Sequence, residues 1–109
     1  MSKRRDIRVD IIIPLRYNNG SLIEIDKHVQ TKNELTKRFG SCTFLSTSEG
    51  TWSDYNDHAK IYMDINTSCF IITENAPKVK EFFQTYKEVL KDRYDQVDIL
   101  ITYQRVNRI

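Results

Sequence analysis

Cysteine is scarce in this sequence, which has only Cys42 and Cys69 among its 109 residues. A small secreted domain ordinarily carries four or more cysteines, and neither residue belongs to a C-x-x-C pair. Both lie inside apolar runs that are typical of strands. The sequence therefore predicts two reduced cysteines in or near a core, with a disulfide between them as the alternative. No histidine lies near Cys42 in the sequence, so no nucleophilic role is predicted for it.

Long apolar runs are also missing. The longest uninterrupted ones have three or four residues, whereas a membrane-spanning helix needs about 20. Basic residues follow Met1, but no apolar segment follows them, so the pattern of a signal peptide is absent. We therefore expect a cytoplasmic protein with no membrane partner.

Motifs that hold cofactors are absent too. The chain contains neither G-x-x-x-x-G-K-[ST] nor G-x-G-x-x-G, and the calcium-loop pattern does not occur. No cofactor and no metal are predicted. The 17 Lys and Arg residues against 15 Asp and Glu residues give a net charge of +2, which is less basic than a dedicated nucleic-acid-binding protein usually is.

The first half of the chain reads as a strand, a helix and a strand. Apolar side chains occupy every second position over residues 7–17, which predicts a first strand with one buried face. A helix is predicted over residues 26–39, with Asp26 as its N-terminal cap and Gly40 just beyond its end. A second strand is predicted over residues 41–47, before a polar, irregular segment over residues 48–58.

The second half reads as two strands, a helix and a final strand. A short strand is predicted over residues 60–64, a turn over 65–68 and a third strand over 69–73. A helix with a wide aromatic stripe follows Pro77, and a fourth strand covers residues 97–106. The order β-α-β-β-α-β predicts one α+β domain over residues 1–109, a ferredoxin-like, four-stranded antiparallel sheet with both helices on one face.

The helix-free face of this sheet is predicted to be polar except for Ile12 and Leu100. Isolated apolar residues are common on surfaces, but a second copy of the sheet could cover both. We therefore expect a homo-oligomer, most simply a dimer.

The polar segment between the second and third strands is the first candidate site, because functional residues concentrate on loops held by a rigid scaffold. Its chemistry-bearing residues form a candidate ligand or partner loop: Glu49, Trp52, Asp54, Tyr55, Asp57 and His58. Their spacing matches no metal motif. The alternative is a polar hairpin whose Trp52 side chain folds back onto the core.

A basic patch is the second candidate site. Pairing of the first and fourth strands brings the two chain ends together, with six basic residues: Lys3, Arg4, Arg5, Arg8, Arg105 and Arg108. The patch could contact nucleic acid or an acidic partner, or it could be a pair of solvated chain ends. The basic-Gly-aromatic pattern of RNA-recognition modules is missing from the third strand.

Three short groups of residues resemble a pattern in a family of small prokaryotic proteins of about this length. They are Arg38, Phe39, Gly40 and Thr43; then Glu49, Gly50 and Trp52; then Arg93, Tyr94, Gln96 and Ile99. Ser41 stands where the family pattern has a second glycine. The resemblance implies no activity, substrate or cofactor, and it singles out Glu49, Trp52 and Gln96.

Three functional hypotheses follow. The first is a non-catalytic binding or interaction module that acts as a homo-oligomer. The second is a small enzyme that uses the loop of residues 49–64, with a small-molecule ligand that the sequence does not identify. The third is nucleic-acid binding through the basic patch.

Overall fold

The computed structural model describes residues 6–53 and 56–109, which form one four-stranded antiparallel sheet and two helices. The elements in chain order are β1 (Asp6–Pro14), α1 (Ile25–Phe39), β2 (Thr43–Ser53), β3 (Ile61–Glu74), α2 (Pro77–Arg93) and β4 (Ile101–Val106). The sheet order is β2-β3-β1-β4. The predicted α+β class, with an antiparallel sheet and two helices, is confirmed. Neither helix is long and apolar enough to cross a membrane.

The hydrophobic core lies between one face of the sheet and both helices. Alternate residues of a strand point to the same face, and the odd-numbered residues of β1 from Ile7 to Ile13 are all buried. Leu35 of α1 and the buried stripe of α2 cover them. The rings of Phe39 and Phe83 stack with centroids 5.4 Å apart, which joins the two helices over the sheet.

Only the C-terminal end of α1 matches the sequence prediction. Gly40 has a φ of 88°, and its N–H donates to the Thr36 carbonyl at 2.8 Å, as a left-handed glycine cap does. At the other end the helix begins at Ile25, and the capping position belongs to Glu24. The prediction that Asp26 caps the helix is therefore wrong. Its carboxylate lies in the first turn, where the helix dipole favours a negative charge.

The largest correction concerns β2 and β3, which form one long hairpin. The predicted irregular segment lies mostly in β2, which extends to Ser53, and the predicted turn over residues 65–68 lies inside β3. Polar residues of β2 pair across the ladder with apolar residues of β3, for example Glu49 with Ile65. Cross-strand partners therefore outweigh the weak strand propensity of the β2 residues. At the other edge, β4 begins at Ile101 and is shorter than predicted.

The long hairpin makes the molecule elongated. Its extents are 54 × 31 × 25 Å and its radius of gyration is 15.4 Å. A compact domain of this length would have a radius of gyration of about 13 Å. The hairpin therefore reaches beyond the helical layer.

A polar network joins the two helices inside the fold. The guanidinium of Arg93, whose side chain is only 8% exposed, donates to Glu34 Oε1 at 2.7 Å and to Thr31 Oγ1 at 2.8 Å. The Tyr86 hydroxyl also donates to Glu34 Oε1, at 2.9 Å, and Thr31 is hydrogen-bonded to the buried Tyr94 hydroxyl at 2.8 Å. Every member of this network thus has a partner, as buried polar groups require.

The network also shifts the ionisation of its members. Burial works to raise the pKa of Glu34, but the hydrogen bonds from Arg93 and Tyr86 outweigh it and hold the pKa below its ordinary value. Burial raises the pKa of Tyr94 to about 12. Glu34 is therefore charged and Tyr94 is neutral at physiological pH, which suits their roles as acceptor and donor.

We expect Arg93→Ala to lower the free energy of unfolding by about 2–3 kcal/mol, because it leaves Thr31 and Tyr86 with fewer partners and an acidic group without its cation. Lys91→Ala is the matched control. Lys91 lies on the same helix and pairs with the exposed Glu88 at 3.3 Å, so its loss should cost less than about 1 kcal/mol. Urea denaturation of both variants measures the difference. Equal losses would show that the network does not stabilise the helix pair.

Candidate functional site

The distal part of the hairpin is the most distinctive surface of the molecule. We call residues 48–53 and 56–66 the arm. Its ladder pairs Ser48 with Asn66 at one end and Ser53 with Ile61 at the other. A β-bulge between Leu45 and Ser48 separates it from the core part of the sheet. Bulges bend a strand and increase its twist.

The bulge is held by a side chain of the opposite strand. The hydroxyl of Thr67 donates to the Leu45 carbonyl at 2.8 Å. This bond satisfies a backbone carbonyl at the point where the ladder is interrupted. Leu15 fixes the same region from the other side, because its N–H donates to the Ile65 carbonyl at 3.2 Å. The base of the arm is therefore hydrogen-bonded on both sides.

One face of the arm carries an uncovered row of apolar side chains along β3, beside the polar Glu49, Thr51 and Ser53 of β2. The odd-numbered residues of β3 share one face, and Cys69 and Ile71 are buried in the core on that face. The same face continues into the arm as Ile61, Met63 and Ile65, which are 72%, 65% and 46% exposed. The surface that forms the core at one end of β3 is thus left open at the other end.

The opposite face of the arm carries an aromatic pair. Trp52 lies directly opposite Tyr62 in the ladder, and the two rings stack with centroids 4.4 Å apart and planes 19° apart. Their residues are 51% and 40% exposed. The alternative in which Trp52 folds back onto the core is therefore wrong. The pair presents a partly exposed aromatic surface.

The described members of the predicted ligand loop lie at different places in the arm. Glu49 and Trp52 lie in β2, on opposite faces of the arm, because they are three positions apart in a regular ladder. Asp57 and His58 lie in the turn. The Asp57 carboxylate accepts the Ala59 N–H at 3.1 Å, and His58 Nδ1 is 3.4 Å from Ser53 Oγ.

The remaining predicted loop residues, Asp54 and Tyr55, lie outside the described residues. In the part of the chain that the structure describes, no group of three or more His, Cys, Asp or Glu side chains could hold a metal ion. Asp57 acts there as a turn-forming residue, a common role of aspartate.

Sequence reasoning missed Ile61, Met63, Ile65 and Tyr62 as surface features. The signal was present, because apolar residues at odd positions run from Ile61 to Ile71 with only Thr67 as an interruption. Dividing this segment into a short strand, a turn and a second strand concealed the continuous alternation.

The predicted basic patch is divided and partly neutralised in the described residues. Asp6 pairs with Val106 at the meeting of the chain ends, close to the predicted register. Arg8 donates to both oxygens of the Asp10 carboxylate at 3.0–3.2 Å and lies 3.8 Å above the Phe70 ring. The negative charge of the Asp10 carboxylate reduces the attraction of Arg8 for phosphate.

The other members of the patch do not gather around Arg8. Arg108 lies 3.4 Å from the Asp6 carboxylate. Arg105 is exposed but lies opposite Ile7 in the ladder, so it points to the helix side, whereas Arg8 lies opposite Gln104 on the helix-free face. Lys3, Arg4 and Arg5 lie outside the described residues. The described residues give the nucleic-acid hypothesis little support.

The helix-free face brings the two predicted apolar residues together. The Ile12 N–H donates to the Leu100 carbonyl at 3.0 Å. Leu100 is exposed, and Ile12, Phe70 and Ile72 are half-buried. A small apolar area therefore exists on this face beside the charged Arg8–Asp10 pair.

Two of the three groups in the resemblance pattern have structural roles. Gly40 caps α1, and Arg93 and Tyr94 belong to the inter-helix network. Gln96 closes the end of α2, since its N–H donates to the Lys91 carbonyl at 2.9 Å. Only the middle group, which includes Glu49 and Trp52, lies in the arm. The resemblance itself stays a prediction.

No family model and no curated protein matches the chain. Solved structures do resemble it. A phage SAM lyase in complex with S-methyl-5'-thioadenosine matches with a TM-score of 0.70 at 14% identity, covering 95% of this chain and 84% of that one. The apo state of a phage SAM lyase gives 0.65 at 15%, covering 96% and 86%.

A third similar structure is the divalent ion tolerance protein CutA1 from Ehrlichia chaffeensis, with a TM-score of 0.62 at 10% identity, covering 99% of this chain and 87% of that one. At such low identities, these likenesses show the fold alone. They cover nearly the whole chain.

We expect Trp52→Ala to cost about 0.5–1.5 kcal/mol of unfolding free energy, the usual contribution of an aromatic pair at a partly exposed position. Phe83→Ala is the control, because Phe83 lies in the core and its truncation should cost about 3–5 kcal/mol. Urea denaturation under identical conditions compares the two. A loss for Trp52→Ala as large as that for Phe83→Ala would mean that the indole supports the core.

Proposed function

We propose that this chain is a non-catalytic binding module that assembles as a homo-oligomer, and that the apolar face of the arm makes its subunit contacts. One observation carries this proposal. The face of β3 that is buried in the core continues into the arm, where Ile61, Met63 and Ile65 are exposed.

The first argument is energetic. Fully burying one large aliphatic side chain contributes about 1.5–3 kcal/mol. The three residues retain between about half and three quarters of their exposure, so covering them would add several kcal/mol to an association. An isolated two-stranded ribbon is also marginally stable in water. A partner on the arm therefore stabilises both the interface and the arm itself.

The second argument favours another copy of this chain as the partner. β2 is an edge strand whose sequence from Thr43 to Ser53 contains neither Lys nor Pro, two residues that protect an edge from pairing, so its edge protection consists of Glu49 and the bulge between Leu45 and Ser48. A second copy brings an identical edge and an identical apolar face of the same length. A two-fold arrangement lets each arm cover the other with the same residues, which is the simplest closed assembly.

The helix-free face provides a further contact area. Ile12 and Leu100 lie side by side there, and Phe70, which pairs with Asp10, lies on the same face. A standard interface buries about 800 Å² on each partner, which is more than three aliphatic side chains can supply. Contacts on this second face would increase the buried area.

We expect light scattering with size-exclusion chromatography to give an oligomer mass for the wild-type chain and a smaller mass for Met63→Lys at the same concentration. A charge at the centre of the apolar face cannot be buried without a partner, so the dissociation constant should rise at least tenfold, about 1.4 kcal/mol.

Val89→Lys is the matched control, since Val89 is an exposed apolar residue on α2, away from the arm. It should leave the mass unchanged. A monomeric wild-type protein at tens of micromolar concentration would refute the proposal, and so would equal dissociation by both variants.

A second candidate function is binding of an adenosine-containing sulfur compound by the aromatic face of the arm. Two observations favour it. The likeness to the phage SAM lyase covers most of both chains, and the stacked Trp52 and Tyr62 rings offer a partly exposed platform. Stacking of a base on an aromatic side chain contributes about 1–3 kcal/mol. This candidate corresponds to a small enzyme that uses the region of residues 49–64.

We expect, on this candidate, that titration calorimetry with S-adenosylmethionine and with S-methyl-5'-thioadenosine detects binding that weakens at least tenfold in Trp52→Ala. Tyr103→Ala is the control, because Tyr103 is an equally exposed aromatic residue on β4. Chromatography of the incubated S-adenosylmethionine shows whether it is converted. Absence of binding at millimolar ligand, or equal weakening by both variants, would eliminate this candidate.

A further inference from the structure

The two cysteines lie together at the base of the hairpin. Phe44 pairs with Cys69 in the ladder, and Thr43 pairs with Phe70. Cys42 therefore lies diagonally across from Cys69, two positions from its direct partner. Cys69 is fully buried in the core, and the half-buried Cys42 packs against the same core cluster. Both side chains are on the helix-covered face, away from the arm surfaces described above.

The two thiols have different surroundings. The hydrogen bond from Cys69, aided by the nearby Lys32 ammonium, holds the pKa of Cys42 below its ordinary value although burial opposes this. The hydrogen bond to Cys42 and burial raise the pKa of Cys69, and the Asp10 carboxylate acts in the same direction. The Lys32 ammonium lies 5.0 Å from the centre of the ring of Phe44, which is two residues from Cys42 in the chain.

This asymmetry corrects the sequence-based expectation for Cys42. Sequence reasoning placed it in a strand core with no electropositive neighbour. The structure places it one residue before β2 begins, half-exposed and beside a lysine. An accessible thiol beside a cation is the setting in which a cysteine becomes reactive.

We propose that Cys42 is an oxidation site for peroxides and that Cys69 resolves the oxidised form into an intramolecular disulfide. The Cys42 thiolate attacks one peroxide oxygen, the O–O bond breaks, and Cys42 becomes a sulfenic acid while the other oxygen leaves as water or an alcohol. The Cys69 sulfur then attacks the Cys42 sulfur. The S–O bond breaks, the hydroxyl group takes the Cys69 proton and leaves as water, and the S–S bond forms. Two electrons pass from the sulfur atoms to the peroxide, and a small dithiol returns them.

The backbone geometry is close to what a disulfide needs. Diagonal neighbours in an antiparallel ladder have Cα atoms about 7–8 Å apart, whereas a disulfide needs about 4.4–6.8 Å. Cys42 lies outside the ladder, so its backbone can shift without breaking a β2–β3 hydrogen bond. The cross-link would close a loop from residue 42 to residue 69, which contains the whole arm.

The test treats the reduced full-length protein with one equivalent of hydrogen peroxide, followed by intact mass spectrometry without reductant. The wild type should lose two hydrogen atoms in mass, and proteolysis should release a peptide that joins Cys42 to Cys69. Dithiothreitol should restore the original mass. A wild type that only gains oxygen atoms, or that forms disulfide-linked dimers, would overturn the proposal.

Two single variants assign the roles. Cys69→Ser should stop at a sulfenic acid on Cys42 that dimedone traps, and Cys69→Ala repeats this test without a polar group in the core. Cys42→Ser should react at least tenfold more slowly and take no dimedone. If dimedone labels neither Cys69 variant, or if Cys42→Ser reacts as fast as the wild type, Cys42 is not the oxidation site. The linked peptide is read in the wild type, so the test stands even if a variant fails to fold.

Discussion

β3 is the element on which the rest of the structure depends. It is the longest strand, it pairs with both β1 and β2, and its odd-numbered residues from Ile61 to Ile71 share one face that is apolar except at Thr67. A strand cannot turn one side chain to the other face without a bulge or a change of register. The burial of Cys69 and Ile71 under the helices therefore fixes the direction of Ile61 and Met63, and the exposure of the arm's apolar face follows directly from core packing.

The two helices contact each other through polar groups as well as apolar ones. The polar contacts fix the position of one helix relative to the other. Phe39 and Phe83 stack at one end of the helix pair, and Arg93 reaches from the end of α2 to Thr31 and Glu34 of α1. Apolar contacts tolerate sliding, whereas hydrogen bonds of fixed geometry do not. The network thus fixes where α2 lies on the sheet, and with it the start of the connection to β4.

Much of the fold follows from local patterns. Alternation predicted β1, the aromatic stripe predicted α2, and Gly40 predicted the end of α1, because each signal is repeated or sterically specific. The hairpin was harder, since Glu49 and Gly50 have weak strand propensity and become ordered only through partners in β3. The candidate site was harder still. Whether Glu49 and Trp52 share a face depends on their register in β2, and the partners of Arg8 and Lys32 are set by tertiary contacts that composition does not contain.

The bulge between Leu45 and Ser48 has a dynamic consequence. Proteins open in cooperative units whose boundaries follow breaks in packing and pairing. Here the ladder is interrupted between Leu45 and Ser48, close to where the exposed part of β3 begins, so we expect the hairpin to open as two such units that meet at Thr67. Opening of the outer unit leaves the inner ladder and the core closed, and hydrogen exchange of its amides is then set by local fluctuation and not by global unfolding. The arm can therefore adjust to whatever it contacts while the scaffold that carries it keeps its shape.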